Sequence, residues 1–167
     1  MPKIFRMTKG GKLIEGIFQA ATINTPSLMV IEDVIDAMEW AKDLGPNALR
    51  DRADANHKVL ADWVAKTDWV ANLAADPATE SNTSVCLKIV DADVAGLDAD
   101  GQAAFAKAIA TRLDQEGIAY DIGAYRDAPA GLRIWAGSTV EASDLKALTA
   151  WLDWAFAVEK AALVQPA

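Results

Sequence analysis

The sequence predicts an α/β protein in which an antiparallel or mixed sheet is covered by helices. Three observations carry that prediction. From residue 46 onward the patterning gives the order helix, strand, strand, helix, strand, strand, helix, and neighbouring strand pairs between helices build such a sandwich. Residues 84–90 are almost continuously apolar, as expected of a central strand. The length of 167 residues, 52% hydrophobic and 24% charged, suffices for one compact domain or a domain with an arm.

Taken in order, residues 3–7 alternate like a short strand that Gly10-Gly11 breaks, and residues 15–23 show no firm period. Asn24-Thr25-Pro26-Ser27 predicts a helix start, with Thr25 as N-cap and Pro26 at the first helical position, where its missing N–H costs nothing. Leu28, Ile31, Val34, Ile35 and Met38 then recur at helical spacing until Gly45-Pro46. The break at Gly45-Pro46 separates residues 1–45 from a domain over residues 46–167. In the domain a second helix is predicted over 48–66, with Leu49, Ala53, Leu60, Trp63 and Val64 as its stripe. A strand at 69–73, a loop at Asp76-Pro77 and an acidic loop over 91–100 surround the central strand. A third helix spans 102–116, with Phe105, Ile109 and Leu113 inward and Gly117 as its stop. Strands at 120–123 and 132–135 precede a last helix from about Ser143, carrying Leu145, Leu148, Trp151, Leu152 and Phe156 on one face.

Charge and composition exclude several functions. Sixteen Lys and Arg against twenty-four Asp and Glu leave a net charge of −8, which disfavours phosphate polymers and anionic lipid, so neither nucleic acid nor membrane is expected as a partner. A single cysteine, Cys86, and a single histidine, His57, exclude an intrachain disulfide and a Cys- or His-rich metal site. No targeting segment is visible, which makes the cytoplasm the expected location. Gly10-Gly11-Lys12 fails as a phosphate loop because Leu13 stands where Ser or Thr is needed. The stretch 91–96 resembles a calcium loop, but Ala95 and Gln102 replace ligands, and a solvated turn is expected. His57 reads as a surface or half-buried side chain. Trp63, Trp151 and Trp154 read as core or interface residues, while Trp135, beside Arg133, stays open.

Two features point to anions. Arg133 lies in a short strand, where a guanidinium is expensive unless paired, and Arg126 lies in the lead-in loop. Together they suit a carboxylate or phosphate, or else an ion pair with one of the many acids. Asn24 and Thr25 stand before a helix N-terminus, which is either an ordinary cap or an anion site.

The stretches Lys3-Ile-Phe-Arg-Met-Thr-Lys-Gly-Gly-Lys-Leu-Ile-Glu-Gly-Ile-Phe18, Ile23-Asn-Thr-Pro-Ser27, Arg52-Ala-Asp-Ala-Asn56, Ser81-Asn-Thr-Ser-Val-Cys-Leu-Lys88 and Tyr120-Asp-Ile-Gly-Ala-Tyr-Arg126 resemble the phosphoserine aminotransferases, more narrowly their proteobacterial form. These belong to the class V, fold-type I aminotransferases, and the resemblance runs from about residue 3 to about 157. It implies the C-terminal portion of such an enzyme: the end of the large domain followed by the small C-terminal domain. The cofactor would be pyridoxal 5'-phosphate. The Schiff-base lysine is expected upstream, so no catalytic residue is assigned here and the chain alone is expected to be inactive and prone to self-association. By resemblance, Asn24 and Thr25 reach the neighbouring subunit's cofactor phosphate in a homodimer, Arg133 holds the substrate α-carboxylate, and Arg126 helps hold its phosphate or second carboxylate. Tyr125 replaces the histidine that many members place before that arginine. The implied reaction moves an amino group between glutamate and 3-phosphohydroxypyruvate, giving phosphoserine in serine biosynthesis. The competing expectation is a stand-alone anionic small-molecule-binding or regulatory domain without catalysis.

Overall fold

A computed structural model describes residues 6–22 and 24–164. The chain divides into two compact units, Met1–Pro46 and Asn47–Ala167. Most of the strand expected at residues 3–7 lies outside the described residues. In the first unit β1 (Thr8–Lys9) and β2 (Lys12–Leu13) form a small antiparallel hairpin. Gly10 and Gly11 turn it with φ of +58° and +75°, the left-handed pair that a tight hairpin demands. A short 3₁₀ turn follows at Glu15–Gln19.

Helix α1 spans Leu28–Leu44. Its N-cap is Ser27, in extended conformation, and Ile31 N–H donates to the Ser27 carbonyl. The helix therefore starts two residues later than the Thr25 cap predicts. Pro26 drives the residue before it toward extended backbone, and Ser27 is itself a capping residue type. Asn24 and Thr25 thus precede the cap as exposed side chains. Gly45 ends the helix at φ +83°. No residue of α1 is buried, although Leu28, Met29 and Met38 are apolar.

The second unit is a three-stranded antiparallel sheet with helices packed on one face. Helix α2 (Pro46–Val64) buries Ala53, Asn56 and Leu60. Strands β3 (Val70–Asn72), β4 (Ser84–Ile89) and β5 (Leu132–Trp135) pair in the order β3-β4-β5. Short α3 (Ala92–Ala95) leads into α4 (Ala99–Gln115), and α5 (Ala142–Val164) closes the fold. Strand β4 is central, as its apolar run suggests, but only one face of it is covered. Val85 and Leu87 are buried while Ser84, Cys86 and Lys88 alternate onto the other face. Leu132 and Ile134 of β5 join the same core, with Ile109 and Leu113 of α4 and Leu152 of α5.

Two expectations need correction here. Residues 91–100 are not an open acidic loop: Asp91 caps α3, and Asp98 caps α4 through its bond from Gly101 N–H. Residues 120–123 do not form a regular strand, because Asp121 adopts φ +53° and breaks the extended run. Only Gly123 bridges to Leu132, while Arg133 N–H donates to the Ile122 carbonyl. The tryptophans divide. Trp69 is buried and stacks on Phe156 at 4.3 Å, and Asp153 accepts from both Trp63 and Trp69 indole nitrogens. Trp151 and Trp154 meet edge-on at the surface.

The Asp91 carboxylate also receives Lys160 of α5, which reaches Asp93 at 3.2 Å. Burial pushes the Asp91 carboxyl up, but the bond from Lys160 and backbone N–H groups of Val94 and Asp93 outweigh it, so its pKa falls below 3.8. The bond to Asp91 raises Lys160 above 10.5 against a smaller opposing effect of burial. A depressed carboxyl contributes stability that is complete above its unfolded value and lost as pH falls through the folded one. A raised ammonium contributes stability that is lost as pH rises through its folded value. Lys160→Met is thus expected to flatten the loss of thermal stability below about pH 4. Melting temperatures of the two proteins against pH check this, and parallel acid limbs would contradict it.

Candidate functional site

The open face of the sheet carries the candidate site. Cys86 lies opposite Arg133 and Ser84 opposite Trp135, so all four side chains share that face. A cleft of about 290 Å³ is lined there by Ser84, Tyr120, Asp121, Ile122, Arg133 and Trp135. The Arg133 side chain retains 34% exposure, and its Nη2 meets Asp121 Oδ2 at 3.2 Å. The Asp121 side chain is 91% exposed, so this is a solvated pair worth little and easily exchanged for another anion. Arg133 is neither buried nor firmly neutralised.

Arg126 lies elsewhere. It sits exposed in the turn after Gly123 and lines a separate cleft of about 290 Å³ with Lys107 and several alanines, among them Ala103 and Ala106 of α4. The two arginines therefore line different clefts in this structure. Asn24 and Thr25 belong to the first unit, ahead of α1. His57 is half-buried and faces Glu80, Nε2 to Oε2 at 3.3 Å. A further depression along α4 and α5 is mostly apolar, and its one carboxylate, Glu159, is already held by Arg112 at 2.5 Å.

The stretch Arg52-Ala-Asp-Ala-Asn56 supports the Arg133 strand from behind. Asn56, 1% exposed, donates from Nδ2 to the carbonyls of Gly137 and Val140 at 3.0 and 2.9 Å. Arg52 Nε donates to the Ser138 carbonyl at 2.9 Å and Nη2 to Glu141 at 2.5 Å. Asp54 accepts from Asn82 at 2.7 Å, and Ala136 N–H donates to the Thr83 carbonyl. One helix thus ties down the segment that follows β5 and the turn that precedes β4. The apolar stripe read from the sequence passes over Asn56, because a buried amide leaves no hydrophobic signal. Asn56→Ala strands one buried and one part-buried carbonyl and is expected to cost about 2–3 kcal/mol. Denaturant unfolding checks this, and a loss under about 0.5 kcal/mol would contradict it.

No protein-family model matches the chain. Two curated relatives do. Phosphoserine aminotransferase of Methanosarcina barkeri (strain Fusaro) is 44% identical over 161 residues, which is 96% of this chain and 41% of the relative. The Methanosarcina mazei enzyme of the same name is 43% identical over the same shares. The chain is related to the phosphoserine aminotransferases. It spans about two fifths of the length of those relatives. The solved phosphoserine aminotransferase of Bacillus circulans subsp. alkalophilus superposes with a TM-score of 0.67 at 14% identity, covering 85% of this chain and 36% of that one. A structure titled for radiation damage of the Schiff base in phosphoserine aminotransferase gives 0.66 at 16% identity over the same shares. These superpositions show the fold. No group of three or more potential metal ligands occurs among the described residues, and no helix among them is long and apolar enough to cross a membrane.

Proposed function

We propose that this chain is the C-terminal portion of a cytoplasmic, homodimeric phosphoserine aminotransferase and supplies the substrate-carboxylate clamp. In this reading residues 1–45 end the large domain and residues 46–167 are the small domain. The observation that carries it is Arg133, a cation on an open sheet face whose one acidic contact among the described residues is the solvated Asp121. Both substrates of amino transfer between glutamate and 3-phosphohydroxypyruvate are multiply anionic, and a planar guanidinium matches their carboxylates. Phosphoserine and 2-oxoglutarate are the products.

The residues present fit part of a pyridoxal 5'-phosphate site. Asn24 and Thr25 offer neutral, exposed donors suited to a phosphate, and in the dimer they serve the neighbouring subunit's cofactor. When bound, that cofactor supplies the electron sink for amine exchange. This chain's part is to bind and orient: Arg133 fixes the α-carboxylate, and Arg126 meets the second anionic group of the substrate. The two arginines line separate clefts, and in this reading each meets one anionic group of the substrate.

Calorimetric titration with O-phospho-L-serine and L-glutamate tests the reading. Both are expected to saturate and compete for one site, with L-serine at least about tenfold weaker for lack of the second anion. Equal affinity for serine and phosphoserine, or no saturation by either anionic ligand, would contradict it.

A further inference from the structure

Trp135 is 55% exposed, yet three restraints fix its ring. Its Nε1 donates to Thr139 Oγ1 at 3.0 Å. Its six-membered ring lies so close to Gly137 that a Cβ at that position would stand 2.3 Å from Cζ2. The segment carrying Gly137 is in turn bound to α2 through Asn56 and Arg52. A half-exposed side chain free of such restraints samples several rotamers. Here a glycine, a hydroxyl and a buried amide hold one orientation.

That orientation lies on the ligand side. Trp135 follows Arg133 by two residues on one strand, so both project from the same face, and both line the same cleft. We propose that Trp135 is a ligand-contacting residue of the Arg133 cleft. It forms a fixed apolar wall for the carbon skeleton of a small amino acid or oxo acid whose carboxylate meets Arg133. An indole brings a large rigid contact with only two torsions to restrain, and it displaces water next to the guanidinium, which strengthens the ionic contact. Tyr120 and Ile122 extend the apolar lining, whereas Ser84 offers a hydroxyl. This inference rests on the clamp proposed above.

The test uses the full chain labelled with 5-fluorotryptophan, the Trp135 resonance being assigned through Trp135→Phe. Titration with O-phospho-L-serine is expected to shift that resonance saturably. Trp135→Leu is expected to weaken binding of phosphoserine and glutamate by about five- to tenfold. Gly137→Ala, which leaves every side chain of the cleft present but pushes the ring aside, should fall between wild type and Trp135→Leu. Inorganic phosphate, which has no carbon skeleton, should bind all three alike. A static Trp135 resonance, or unchanged affinity in Trp135→Leu and Gly137→Ala while Arg133→Gln loses binding, overturns the inference and leaves the clamp standing. Binding indifferent to Arg133→Gln overturns the clamp itself. The resonance is read on the unsubstituted sequence, so it decides the matter even where a variant folds poorly.

Discussion

Gly131→Ala is expected to destabilise the second unit by about 3 kcal/mol or more. The reason is contact rather than dihedral strain. A Cβ on Gly131 would lie 2.0 Å from the Leu87 carbonyl oxygen and 3.4 Å from the Lys88 Cα. Backbone cannot rotate away as a side-chain tip can, so β5 would have to separate from β4 at the Leu87–Leu132 pair. Leu87 and Leu132 are 1% and 2% exposed, and opening that end loosens the centre of the core. Chemical denaturation monitored by circular dichroism checks this. A midpoint shift corresponding to less than about 1 kcal/mol would show that the strands can slide to accept the methyl group.

Arg133→Gln is expected to weaken binding of phosphoserine and glutamate by about 30- to 100-fold, equivalent to about 2–3 kcal/mol for a charge-assisted contact. The substitution keeps much of the side-chain length and some hydrogen bonding but removes the charge and the fork. It should leave the fold nearly unperturbed, because the Asp121 pair it removes is solvated. Calorimetry on the folded variant separates the two quantities. Lost affinity with an unchanged unfolding midpoint is the expected pattern. Lost stability with unchanged affinity would make Arg133 a structural residue.

Much of the fold was legible because helices and core strands announce themselves by periodicity. The stripes of α4 and α5 placed Phe105, Ile109, Leu113, Leu145 and Leu152 in the core, where the structure has them. The stop at Gly45 and the centrality of β4 were equally readable. What escaped depends on tertiary contacts. Asn56 is buried because two carbonyls from the far end of the chain meet it, 81 and 84 residues away. The positive φ of Asp121 cut short a stretch that looked extended. Ser27 rather than Thr25 caps α1, since two capping types flank a proline and the pattern alone does not rank them. At the candidate site, sequence marked Arg133 through the cost of a cation in a strand. The fixed ring of Trp135 required the contact with Gly137, which spacing alone does not reveal.

A crystal structure of the chain soaked with O-phospho-L-serine tests the Arg133 clamp directly. The ligand's carboxylate is expected against the Arg133 guanidinium, displacing Asp121, with its carbons along Trp135. Phosphoserine seated elsewhere, with Arg133 still paired to Asp121, would contradict it.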